Sequence, residues 1–206
     1  MRRTPALTVS ALALTLAFGV VGCSTPSNDD STPAAESSSS ESPSSTPSSA
    51  ANELDVAPAA GALITGDGYT YNVPEGWELQ DKSIAPGTDT AAADVTTTTD
   101  FANNVNVILS PAGALTPEQV ESMAAKELEA AGATDVTVEP RVTFGGKESA
   151  HISAGMTASG ATYRIHQYYG TNDDQTYIVT FSFGTDVADT EAVEISESIL
   201  ASWTWS

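Results

Sequence analysis

One cysteine, two histidines and seven Lys or Arg side chains are all that the 206 residues hold of those types. A single Cys excludes an internal disulfide framework and any Cys-based zinc finger. Two His leave little room for a catalytic metal centre. Against the few basic side chains stand 27 Asp and Glu, for a net charge of -20. That balance speaks against DNA or RNA as a partner, because a polyanion would be repelled. Catalytic motifs are also missing. No Gly-x-Ser-x-Gly nucleophile elbow is present, and Gly145-Gly146-Lys147 lacks the rest of a phosphate-binding Walker loop. Carboxylates are abundant, but no pair is singled out as acid and base, and most are expected to be solvated. The sequence therefore predicts no catalytic residue and no cofactor, and it reads as a non-enzyme.

What is there begins with an address. Arg2 and Arg3 precede an uncharged stretch from Pro5 to Gly22, with an apolar run over residues 11–18. A basic end followed by a short apolar run reads as a secretory signal. The run is short for a stable membrane span. It leads into Val20-Val21-Gly22-Cys23, which resembles the lipobox of bacterial lipoproteins. The resemblance implies cleavage after residue 22, a diacylglycerol on the Cys23 sulfur and an acylated amine at the new terminus. Two or three acyl chains, at about 0.8 kcal/mol per buried methylene, make a stable anchor. Cleavage would remove two basic and no acidic side chains, taking the net charge from -20 to -22. Such a chain would be held by lipid and repelled by anionic headgroups.

A tether follows. Residues 24–50 contain 12 Ser, 4 Pro and 3 Thr, with no aromatic residue and no aliphatic residue larger than Ala. Too little apolar surface is present to offset the entropy of ordering, so a disordered linker is expected. As a flexible coil it spans on the order of 30 Å. The expected organisation is a signal peptide over 1–22, lipidated Cys23 and linker over 23–57, and one globular domain over 58–206.

Periodicity predicts a mixed α+β domain. Gly68–Val73 alternates and stops at Pro74, and Trp77–Leu79 starts a second strand. Val95–Thr99 is β-branched and reads as a strand, as does Asn104–Leu109. Thr116-Pro117-Glu118-Gln119 carries a cap, a Pro for the first helical position and the partner of a capping box. The helix it opens runs to Gly132. Thr134–Glu139, Arg141–Phe144, Glu148–Thr157, Ala161–Tyr169 and Thr176–Phe183 read as strands, with a hairpin turn at Ser159-Gly160. A three-residue loop at Asn172-Asp173-Asp174 would pair Ile165 with Phe181 and put the apolar sets on one face. The loop lacks the spaced oxygen ligands of an EF-hand and reads as a turn. A last helix is expected over about Val187–Ser202. Helices on a mainly antiparallel sheet make an α+β sandwich.

Tyr69-Thr70-Tyr71-Asn72-Val73-Pro74-Glu75-Gly76-Trp77 resembles the opening of PsbP-like and Mog-like domains, where a strand runs into a Pro-x-Gly-Trp turn. The run Asn103–Val107, the Thr-Pro-Glu helix start and the C-terminal helix ending in Trp resemble actinobacterial lipoproteins of the LpqN type. The resemblance covers about Tyr69 to Trp205. It implies an α/β/α sandwich and an extracytoplasmic accessory or binding role, and it supplies no catalytic residue. Some relatives are associated with envelope-lipid handling, which makes an amphiphile the implied ligand. Pro74, Gly76 and Trp77 read as structural: strand stop, turn and core.

One side-chain constellation stands out. His151 and His166 fall on the same face of the predicted hairpin, opposite or diagonal, with Arg164 and Tyr168 near. Cross-strand neighbours at that spacing can share a metal or an anionic ligand. The plainer expectation is a pair of ordinary hydrogen-bonded His. The leading functional reading is a lipid-anchored binding or accessory protein on the extracytoplasmic face of the cell membrane, with an amphiphile or an envelope protein as partner. The alternatives are a docking or structural surface lipoprotein without a small ligand, or an enzyme with an unrecognised acidic site.

Overall fold

The structure, a computed structural model, describes residues 51–206. The expected signal peptide, Cys23 and the Ser-rich tether to residue 50 lie outside the described residues. Eleven strands and two helices follow in the order β1 Asn52–Glu53, β2 Leu63–Gly66, β3 Tyr69–Asn72, β4 Trp77–Leu79, β5 Thr90–Asp94, β6 Asn104–Leu109, α1 Pro117–Ala130, β7 Thr134–Phe144, β8 Lys147–Ala158, β9 Ala161–Asn172, β10 Gln175–Gly184, α2 Asp189–Ala201 and β11 Thr204–Trp205. Eight strands form one sheet, ordered β1-β7-β8-β9-β10-β6-β5-β4, and three form a small second sheet, β11-β3-β2. Only the β1–β7 pairing is parallel among the described strands. The α+β class read from the sequence is therefore the observed one.

Each face of the large sheet has its own core. On one face α1 buries Val120, Ala124 and Leu128 against Ile152, Met156, Ile165 and Tyr169. On the other, α2 and the small sheet bury Ile199, Leu200, Tyr69 and Tyr71 against Val107, Tyr168, Phe181 and Phe183. Trp203, just after α2, stacks on Tyr69 and Tyr71 at centroid distances of 4.4 and 5.3 Å. Trp77 joins this core, and Gly76 turns at a φ of 85°. There the Pro-Glu-Gly-Trp segment has the structural role expected of it.

The capping box forms as expected: Gln119 N–H donates to Thr116 Oγ1 at 3.3 Å, and Thr116 N–H donates to Gln119 Oε1 at 2.8 Å. The first turn of α1 is also tied to the sheet by Arg141 of β7. Its guanidinium meets Glu121 through Nε at 2.6 Å and Nη2 at 2.8 Å, and Glu118 through Nη1 at 2.7 Å. Two parallel bonds to one carboxylate fix the orientation as well as the charge. Pro140 does not end β7: the strand runs through it at a register shift between Glu139 and Val142, where a missing ladder donor is tolerated.

Two expectations are corrected. The β9–β10 hairpin turns through two residues, Asp173 and Asp174, and pairs Phe181 with His166 and Val179 with Tyr168. Ile165 therefore faces α1 while Phe181 faces α2. Apolar alternation does not set this register because both faces are covered: every residue from Thr176 to Gly184 is buried. The β-branched run Val95–Thr99 is not a strand. The strand is the preceding Thr90–Asp94, whose three Ala are small enough to lie fully buried, and Asp94 then turns the chain by accepting from Thr96 N–H at 2.8 Å.

Candidate functional site

Two concavities lie on opposite faces of the large sheet. The first is a groove beside α1. The helix packs over β7 and β8, leaving the same face of β9, β10 and β6 beyond its flank. Val120, Met123 and Leu128 make an apolar wall, and Asn106, Gln167, Thr180 and Ser182 make a polar floor. Gln167 Nε2–H donates to Thr180 Oγ1 at 3.0 Å, and Tyr169 O–H donates to Gln167 Oε1 at 2.8 Å. These bonds satisfy the amide and hold the floor rigid. Phe101 stacks on Tyr163 at 5.0 Å near one end. Gln167, Thr180 and Ser182 of the floor are buried, while Asn106 and, at the rim, Met123, Glu127 and Ala131 are half-exposed. Burial at that rim pushes the Glu127 carboxyl above its ordinary pKa. The cavity volume is about 70 Å³. A drug-sized molecule fills several hundred Å³, so only one end of a longer ligand fits inside.

The second concavity is polar, measures about 190 Å³, and lies between the sheet and α2. Here the structure brings together the two His that the sequence placed on one face. His151 Nε2 and His166 Nδ1 are 3.1 Å apart, so one ring donates to the other and the pair shares one proton. His151 stacks on Tyr168 at a centroid distance of 4.1 Å. Both imidazoles are buried. Burial first, and then the charge of His166, pushes the His151 pKa down to about 3. Burial also lowers the His166 pKa, opposed by the Asp189 carboxylate. Both rings are therefore neutral near pH 7.

Three carboxylates line the same cavity: Glu139 from β7, and Asp189 and Glu197 from α2. Ser153 O–H donates to Glu139 Oε1 at 2.6 Å. Arg164 Nη1 lies 3.3 Å from Asp189 Oδ1. Glu197 has neither a hydrogen bond nor an ion pair among the described residues, and burial raises its pKa. His166 Nε2 and the Tyr168 hydroxyl are buried without a hydrogen-bond partner among the described residues. The nearest anion to that nitrogen, Asp189 Oδ1, is 3.5 Å away, beyond a good hydrogen bond. No group of three or more His, Cys, Asp or Glu among the described residues is arranged to hold a metal ion. The shared-metal version of the histidine pair is thus not supported by the geometry.

Sequence reasoning found the two His, Arg164 and Tyr168, but not the carboxylates, which come from the bulged strand β7 and from α2. The groove floor was missed as well. Its signal was the polar match between Gln167 and Thr180, which only the two-residue turn brings side by side. Cys23 lies outside the described residues.

No protein-family model matches the chain, and no curated protein matches it. Several solved structures are similar to it at low identity. A protein of Bacteroides thetaiotaomicron is 13% identical, with 71% of this chain covered and a TM-score of 0.47. This chain spans about half of that protein's length, 48%. LpqN, involved in cell envelope biogenesis of Mycobacterium tuberculosis, is 14% identical over 69% of this chain and 88% of its own, with a TM-score of 0.49. The cyanobacterial PsbP of Synechocystis is 18% identical over 71% of this chain and 94% of its own, also at 0.49. No residue role passes to this chain from similarities of that size.

Proposed function

We propose that the chain is a lipid-anchored, non-enzymatic binding protein on the extracytoplasmic face of a bacterial cell membrane, and that its groove beside α1 takes one end of an amphiphile. The observation that carries this reading is the groove itself: an apolar helical wall over a hydrogen-bonded polar floor, with a half-exposed rim. A surface of that kind matches a molecule with an alkyl part and a polar part. The alkyl end would lie against Val120, Met123 and Leu128, and the polar part would meet Asn106, Thr180 and Ser182. The rest of the ligand would run outside, because the enclosed space is only about 70 Å³. Cys23 would hold the domain at the membrane through acyl chains, and the Ser-rich tether would let it reach across the neighbouring layer.

Native mass spectrometry tests this. The full chain is incubated with a total envelope lipid extract, and free lipid is then removed. The expected result is a discrete added mass that survives removal and fragments to one lipid class. Absence of any adduct, where a known lipid carrier keeps one, would turn the reading to a protein-docking role.

A further inference from the structure

We propose that the groove beside α1 selects amphiphiles whose polar group is uncharged and both donates and accepts hydrogen bonds, a hydroxyl or an amide, and that Asn106 and Ser182 read that group. The inference rests on the amphiphile reading above and adds the chemistry of the head. A row of polar side chains crosses the floor. Gln167 of β9 stands opposite Thr180 of β10, and Thr180 stands opposite Asn106 of β6. Gln167 is satisfied within the row, since its amide donates to Thr180 Oγ1 and accepts from Tyr169. Thr180 accepts there and keeps its own O–H to donate. The Asn106 amide and the Ser182 hydroxyl line the groove without a hydrogen-bond partner among the described residues. Neither is sealed from a ligand: Asn106 is half-exposed, and the Ser182 hydroxyl opens onto the groove.

Asn106 and Ser182 are diagonal neighbours on paired strands, a relation that puts side chains within about 7–8 Å of each other. One small polar group lying between them can meet both. A carboxamide donates and accepts, and so does a hydroxyl, so the group that satisfies them does the same. Charge points the same way. No Lys, Arg or His is among the described residues that line the groove, and its one carboxylate is Glu127, whose charge burial already disfavours. A phosphate or an ionised carboxylate would bring a second negative charge into a site without a cation to meet it. An ammonium head accepts nothing, so it would leave the Asn106 N–H and Thr180 O–H donors unanswered. A carboxylic acid qualifies in its protonated form, which has one donor and one acceptor.

The test is an NMR titration of the full chain, labelled with ¹⁵N and with ¹³C at the methionine methyls, at neutral pH and constant ionic strength. The ligands share one alkyl chain and differ in the head: 1-decanol, decyl phosphate and decylammonium chloride. Met123 and Met156 line the groove, so their methyl signals report entry of the chain, and the Asn106 side-chain amide reports the head. The expected result is saturable binding of 1-decanol that moves both sets of signals, about tenfold tighter than either ionic ligand. Asn106→Leu, which keeps the size and removes the amide, and Ser182→Ala should each weaken 1-decanol about fivefold. Equal affinity for 1-decanol and either ionic ligand would overturn the proposal and leave the amphiphile reading in place. So would an unchanged affinity for 1-decanol in both variants while they remain folded. Failure of all these ligands to move the methionine methyls would overturn the amphiphile reading, and the proposal with it.

Discussion

A buried imidazole that stays neutral makes stability depend on pH with a definite sign. Unfolded, His151 takes a proton near its ordinary pKa of 6.5; folded, it does so only at about 3. Between those values the unfolded state binds the extra proton, so the stability it contributes is present above 6.5 and is lost as pH falls toward 3. His166 is shifted in the same direction. Glu127 and Glu197, raised by burial, act oppositely, because their folded forms hold protons longer. A comparison of two proteins isolates the His term. From about pH 7 to about pH 4.5 the wild type should lose roughly 2 kcal/mol more in urea unfolding than His151→Gln. Parallel pH curves for the two would contradict the neutral-pair account. At this scale the sequence was informative about His151 and His166, because alternation along a strand fixes which side chains share a face. It was silent about Glu139, Asp189 and Glu197, whose approach depends on a bulge at Pro140 and on where α2 lands.

The elements show where local signals suffice. The start of α1 was legible because capping is a contact among four successive residues, and Thr116 and Gln119 make both of its bonds. Thr116→Ala removes an acceptor for one helix N–H and should lower stability by about 1 kcal/mol, measured by urea unfolding at neutral pH. A change below a few tenths would mean that Arg141, gripping Glu118 and Glu121, fixes that turn alone. The β9–β10 register was not legible from apolar alternation. That rule holds where one face meets water, and β10 is buried on both faces from Thr176 to Gly184. Gln167, Thr180 and Ser182 were not legible as a groove floor, because only the observed register sets Gln167 beside Thr180.

Across the whole molecule, one sheet separates two environments. The α2 side holds the aromatic core of Tyr69, Tyr71, Phe181, Phe183 and Trp203 together with the acidic cavity. The α1 side holds a second, aliphatic core and the groove. Of the small sheet that helps cover the α2 side, β3 was legible in the sequence, but its partners β2 and β11 were not, because they are four and two residues long and carry little periodicity of their own. Overall charge bears on placement: the full chain, at -20, would be repelled by anionic headgroups, so contact with a lipid would rely on a built apolar surface rather than on charge.

That claim is tested most directly by locating a bound chain. A fatty acid carrying a diazirine at mid-chain is photolysed with the full chain, with and without an excess of unlabelled envelope lipid, and the modified peptides are sequenced. The account predicts label on α1 at Met123 or Leu128 and on the facing stretches of β9 and β10, suppressed by the competitor. Label scattered over the exposed Leu63, Leu79 and Val138, or unaffected by competitor, would contradict it.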